Sequence, residues 1–61
     1  MKNIILQTFS NPNNTMIARM FATMPKGVRF IDGDHANFKF EYTIAEQQVH
    51  DWLDAVVEET A

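Results

Sequence analysis

The sequence has no cysteine, a single serine, only two glycines and two prolines, and no lysine or arginine after Lys39. Each scarcity removes a class of function. Without cysteine there is no disulfide framework and no thiolate to serve as nucleophile or metal ligand, which fits a reducing cytosol. The lone Ser10 lies in an Asn/Pro turn without a Gly-x-Ser-x-Gly elbow around it, so serine catalysis is not expected. Gly27 and Gly33 are isolated and form no glycine-rich loop that would cradle a phosphate. No apolar run approaches the roughly 20 residues of a membrane span. Polar Gln7 and Thr8 follow Ile4-Ile5-Leu6 too soon for a signal-peptide core.

The missing cations are informative because the acids are not missing. Lys2, Arg19, Lys26, Arg29 and Lys39 all precede Thr43, whereas Glu46, Asp51, Asp54, Glu58 and Glu59 follow it, in a chain of net charge −3. An acidic C-terminal third argues against direct nucleic-acid binding, which depends on neutralising phosphates. It suits a basic protein partner, such as a surface that normally receives RNA. At 61 residues with 46% hydrophobic and 21% charged composition, the chain has room for one domain spanning residues 1–61 and one small core.

Strand and helix signals follow in order. Lys2 to Phe9 reads as a strand, closed by the turn formers Ser10 to Asn14. Met16, Ile17, Met20, Phe21 and Met24 recur at helical spacing and are expected to form the core face of a helix. Asn13, Asn14 or Thr15 can cap its start, and Pro25 ends it. Val28 to Asp32 and Asn37 to Thr43 read as two strands joined by Gly33-Asp34-His35-Ala36. The second alternates Phe38, Phe40 and Tyr42 with polar residues, giving an aromatic face and a polar one. Thr43-Ile44-Ala45-Glu46 has the form of a capping box. The helix after it puts Ala45, Val49, Trp52, Leu53, Val56 and Val57 on one stripe. Glu58 and Glu59 oppose the helix dipole, so the final turn is expected to unravel.

The expected fold is therefore a small α+β domain of order β-α-β-β-α: a three-stranded sheet with both helices on one face, assuming a right-handed first crossover. The third strand, as the most regular, is expected in the middle. Strand 1 has Ile4 and Leu6 on one face and Ile5 and Phe9 on the other; strand 2 has Val28 and Phe30 opposed to Ile31. That is more apolar surface than one helix layer covers; either it serves a homodimer or a partner, or strand twist and the chain ends cover it.

Competing readings of particular residues favour the plain one. His35 beside Asp32 and Asp34, and His50 one turn before Asp54, match no metal-ligand spacing and are expected to be solvated. The Phe38/Phe40/Tyr42 stripe is expected in the core rather than stacking RNA bases, and Met16, Met20 and Met24 in the core rather than on a binding surface. Trp52 is expected to be the largest core residue. Asn13-Asn14-Thr15 fits a glycosylation acceptor by chance. No catalytic site, metal or cofactor is expected.

Two stretches carry a family resemblance. Asn13-Asn14-Thr15-Met16, followed by Met24 and Val28-Arg29-Phe30, and then Tyr42 with Val49-His50-Asp51-Trp52-Leu53-Asp54, are similar to the Dmd antitoxins of T-even bacteriophages. The chain departs from that pattern by extra residues around Asp32 to Phe40 and by lacking a final strand-like segment. The resemblance implies a phage protein in the cytoplasm of an infected bacterium. It would bind and block a host endoribonuclease toxin of the RnlA or LsoA kind, protecting phage messenger RNA, with Phe30 as a contact in a groove of the toxin. Taken with the residue reading, the candidate partner-binding residues are Arg29, Phe30 and Ile31 together with Glu46, His50, Asp51 and Asp54. Phe30 is expected to be dispensable for folding. The alternative is a small homodimeric structural or regulatory module.

Overall fold

A computed structural model of the protein describes residues 3–60; Lys2, expected to open the first strand, lies outside them. The elements run β1 (Asn3–Thr8), α1 (Asn14–Thr23), β2 (Val28–Asp34), β3 (Asn37–Tyr42) and α2 (Glu46–Glu59). The fold is the α+β arrangement expected, and the sheet order is β1-β3-β2 with β3 antiparallel to both neighbours. β3 takes the centre, and the alternation of its side chains organises the rest. Phe38, Phe40 and Tyr42 point into the core with Val28 of β2, while Asn37 and Lys39 face outward. Both helices cover that one face: Met16 and Met20 of α1 and Val49, Trp52, Leu53 and Val56 of α2 join the same buried cluster.

Trp52 links the layers. Its ring meets Phe40 edge-on at 5.4 Å, and its indole N–H donates to Thr23 Oγ1 of α1 at 3.0 Å, so a buried donor is satisfied at the helix-helix seam. Met16, Met20, Phe38, Phe40 and Tyr42 are thus core, as expected, while Met24 is only partly buried against them. Phe21 and Val57 are not core: they remain 50% and 43% exposed. Two helices over three strands bury only the middle of each apolar stripe, and residues on its flanks stay at the margin.

The turns explain the element boundaries. Asn13 caps α1, its Oδ1 accepting the Met16 N–H at 2.8 Å, and Met24 is extended (ψ 122°) as the residue before Pro25 must be. Val28 N–H then donates to the Pro25 carbonyl, closing a turn in which Gly27 has φ +95°. The hairpin is tighter than expected. β2 continues through Gly33 and Asp34, leaving only His35-Ala36 between the strands, and Ile31 forms a bulge between the pairs Phe30↔Phe40 and Asp32↔Lys39. Gly33 is therefore a strand residue. A Cβ there would lie 2.7 Å from the Phe38 ring and 2.8 Å from the Phe30 ring, so its bareness lets those rings close over the strand.

The expected capping box at Thr43 is displaced. α2 begins at Glu46 with Ala45 as N-cap, and Gln48 Oε1 accepts the Ala45 N–H at 3.2 Å. Alanine has no side-chain acceptor, so only half of the reciprocal pair forms. Thr43 is drawn away because its backbone N–H donates to the Gly27 carbonyl at 2.9 Å, while Glu46 accepts from the Tyr42 hydroxyl at 2.9 Å. Nor does the last turn unravel. The Thr60 N–H and hydroxyl both donate to the Val56 carbonyl, and Glu59 lies 3.6 Å from Arg19 of α1.

Gly27 carries the sharpest local constraint. Besides its positive φ, an added Cβ would sit 2.8 Å from Ile44 Cγ2 and 3.2 Å from Thr43 Oγ1. Gly27→Ala is expected to destabilise the fold by about 1–2 kcal/mol from the left-handed backbone alone, read as a lower midpoint in urea with an unchanged slope.

Candidate functional site

Three surfaces remain once the core is assembled, and the residues singled out from the sequence divide among them. The first is the uncovered face of the sheet. Ile4 and Leu6 of β1 are 54% and 61% exposed, and Ile31 of β2 is 40% exposed. Ile4 and Leu6 pair with Glu41 and Lys39 of the central strand. Arg29 stands opposite Glu41, with Nη2 to Oε2 at 3.7 Å, and Thr8 Oγ1 donates to Asn37 Oδ1 at 2.8 Å. The face thus has a polar centre and apolar flanks. Arg29 and Ile31 belong to it, whereas Phe30 between them turns the other way.

Phe30 enters the second surface, a shallow apolar groove of about 350 Å³ between α1 and β2 lined by Ile17, Met20, Phe21, Phe30, Gly33, Asp34, His35 and Phe38. Its ring is half-buried against three others: Phe21 at 5.4 Å, Phe40 at 6.0 Å and Phe38 at 6.1 Å. Phe30 is therefore attached to the core. Phe21 is the more accessible aromatic, and sequence periodicity placed it inside. Its position at the edge of the helical stripe was the available signal.

The third surface is the outer side of α2. Glu46, His50 and Asp54 follow one another at i, i+4 and i+8, with Asp51 and Glu58 beside them. His50 Nε2 lies 3.9 Å from Glu46 Oε2, so its near carboxylate is one turn behind it rather than Asp54 ahead. Asp51 Oδ1 accepts from Gln47 Nε2 at 3.0 Å. Asp54, Val57 and Glu58 reach a hollow of about 580 Å³ beside Gln7, Thr8 and Phe9 at the end of β1. Glu59 sits on the opposite flank against α1. Asp54 and Glu58 therefore lie on the side of α2 that faces the end of β1. His35, in the hairpin loop, is almost fully exposed.

Among the described residues no group of three or more His, Cys, Asp or Glu side chains is arranged to hold a metal ion, no polar or charged residue is buried, and no helix is long and apolar enough to cross a membrane. Fold and surface together define a small two-layer α+β domain with one bare sheet face. Comparison with protein-family models, curated proteins and solved structures found no match.

Two outcomes test this description. Phe30→Ala is expected to destabilise the fold by about 2 kcal/mol or more, since it removes a ring packed against three others, while Phe21→Ala leaves the midpoint within about 1 kcal/mol; thermal or urea melts followed by circular dichroism distinguish them. The second concerns Tyr42, whose hydroxyl is held above the ordinary tyrosine range by its hydrogen bond to Glu46, then by burial, then by the Glu46 charge. A group with a raised folded value contributes stability below its unfolded value, about pH 10, and loses it as pH rises through the folded value. The wild type is expected to lose stability more steeply above pH 10 than Tyr42→Phe does.

Proposed function

We propose that this chain acts by binding another protein, and that the partner is a bacterial endoribonuclease toxin of the RnlA or LsoA kind. The toxin is blocked in a stoichiometric complex in the cytoplasm of an infected bacterium, so that phage messenger RNA is spared. The observation that carries the protein-binding part is the placement of exposed Ile4, Leu6 and Ile31 on a sheet face that no helix covers. Ile4 and Leu6 flank one side of its charged centre and Ile31 the other, and large apolar side chains left exposed beside charged ones are material for an interface. The acidic side of α2, with Glu46, Asp51, Asp54 and Glu58, adds a complement to the basic surface that an RNA-cleaving enzyme presents to phosphates, which raises association rate and selectivity. The choice of toxin comes from the resemblance of the Asn13–Phe30 and Tyr42–Asp54 stretches to the Dmd antitoxins. On this reading the chain is not an enzyme, uses no cofactor and makes no direct contact with nucleic acid.

The same sheet face supports a second reading, a homodimer that buries Ile4, Leu6 and Ile31 against a second copy. Light scattering on the isolated protein separates the two, a concentration-independent monomer removing the dimer.

The direct test is RNA cleavage by a purified toxin of this kind with and without an equimolar amount of the protein, followed by gel filtration of the mixture. Loss of cleavage with co-elution is expected. The double charge reversal Asp54→Lys/Glu58→Lys is expected to slow association about tenfold or more at low salt and much less at high salt, where screening removes the steering. Full cleavage with separate elution would rule out the toxin tested.

A further inference from the structure

The two edges of the sheet are built differently. β2 carries a bulge at Ile31 and the acids Asp32 and Asp34, devices that keep another strand from adding to an edge. β1, Asn3–Thr8, has neither. It holds no charge, no proline and no bulge, and pairs in unbroken register with β3 on one side only.

The hydrogen-bond phase of β1 shows what that edge offers. Phe9 N–H donates to the Ala36 carbonyl at 2.8 Å. In an antiparallel ladder bonded pairs alternate, so Ile5 and Gln7, like Phe9, turn their backbone groups toward β3. Ile4, Leu6 and Thr8 turn theirs outward. The Thr8 carbonyl is taken by Gln7 Nε2 at 3.2 Å, which leaves the N–H and C=O groups of Ile4 and Leu6, with the Thr8 N–H, as the docking set.

We propose that the free edge of β1 receives an extended strand from a partner protein, one that alternates apolar and basic residues. Strand addition draws affinity from main-chain hydrogen bonds and specificity from the alternate side chains. On the open face the added side chains lie beside exposed Ile4 and Leu6, and apolar residues fit there. On the helix side they lie beneath the flank of α2 whose Asp54 and Glu58 line the same hollow as Gln7 and Thr8. Basic residues fit there. The same charges decide against a second copy as the occupant, because a two-fold pairing of β1 edges would bring each acidic flank against its twin. This inference rests on the protein-binding reading but not on the identity of the toxin.

The test uses the full chain and a synthetic peptide of about eight residues, a usual strand length, that alternates valine and lysine. A counterpart carries glutamate for lysine. Binding is followed by nuclear magnetic resonance, with amide exchange read at Ile4 and Leu6. The expected result is slowed exchange at both amides with the lysine peptide and none with the glutamate peptide. Leu6→Pro removes an outward donor without breaking the β1–β3 ladder and is expected to weaken binding about tenfold or more, while Leu6→Ala, which keeps the N–H, binds more tightly than the proline variant. Ile4→Pro serves if Leu6→Pro fails to fold. Absence of binding, equal binding of both peptides, or binding indifferent to both proline variants overturns the proposal. So does protection of the two amides in the free protein that is lost on dilution, which would give the edge to a second copy. Peptide binding without toxin inhibition leaves the edge standing and removes the toxin. Undiminished toxin inhibition by a folded proline variant removes the edge.

Discussion

The structure depends on the alternation along β3. With Phe38, Phe40 and Tyr42 on one side and Asn37, Lys39 and Glu41 on the other, the strand can be buried on one face only, and it is the strand both neighbours pair with. Phe40, completely buried, meets both Trp52 and Phe30. A domain this short buries a small fraction of its surface relative to larger ones, and here most of the large side chains converge on this one strand. The helices have a single apolar face to cover, and they share it.

One-sided coverage explains the surfaces. The period of two in a strand sends Ile4, Leu6 and Ile31 to the bare side as surely as it sends Ile5, Phe9 and Phe30 to the covered one. α1 and α2 use only the centre of their apolar stripes, so Phe21 and Val57 remain at the margins. Exposed apolar surface is thus a direct product of a core too small to absorb all the apolar residues. The proposed strand-binding edge follows from the same economy, because β1 is the strand whose outward backbone groups no bulge or charge protects.

Where local reading failed, a tertiary contact had intervened. The capping signature at Thr43–Glu46 was sound as a local pattern, but the Thr43 amide is held by Gly27 and the Glu46 carboxylate by Tyr42, so the helix starts at Glu46 and uses Gln48. Gly33 had the composition of a turn and became part of β2 because its missing Cβ admits two phenylalanine rings. The last turn of α2, unfavourable by its own charges, is held by Thr60 and by Arg19 from the other helix. In contrast, the Asn13 cap, the stop at Pro25 and the turn at Gly27 were legible because each depends on neighbours within a few residues. Of the candidate contact residues, Glu46, His50, Asp51 and Asp54 were correctly assigned to the outer face of the last helix. The adjacent Arg29, Phe30 and Ile31 were grouped by proximity in sequence, yet a strand sends neighbours to opposite faces, and Phe30 parts from the other two.

The sequence by itself determined the order of elements, the one-sided character of the sheet, the centre of the core and the acidity of the last helix, since periodicity and turn chemistry are properties of a few consecutive residues. Only the tertiary structure decided that the acidic flank of α2 runs beside the unprotected edge of β1. That juxtaposition joins residues about fifty positions apart in the chain, and the side-by-side packing of two helices over three strands, rather than any local preference, brings them together.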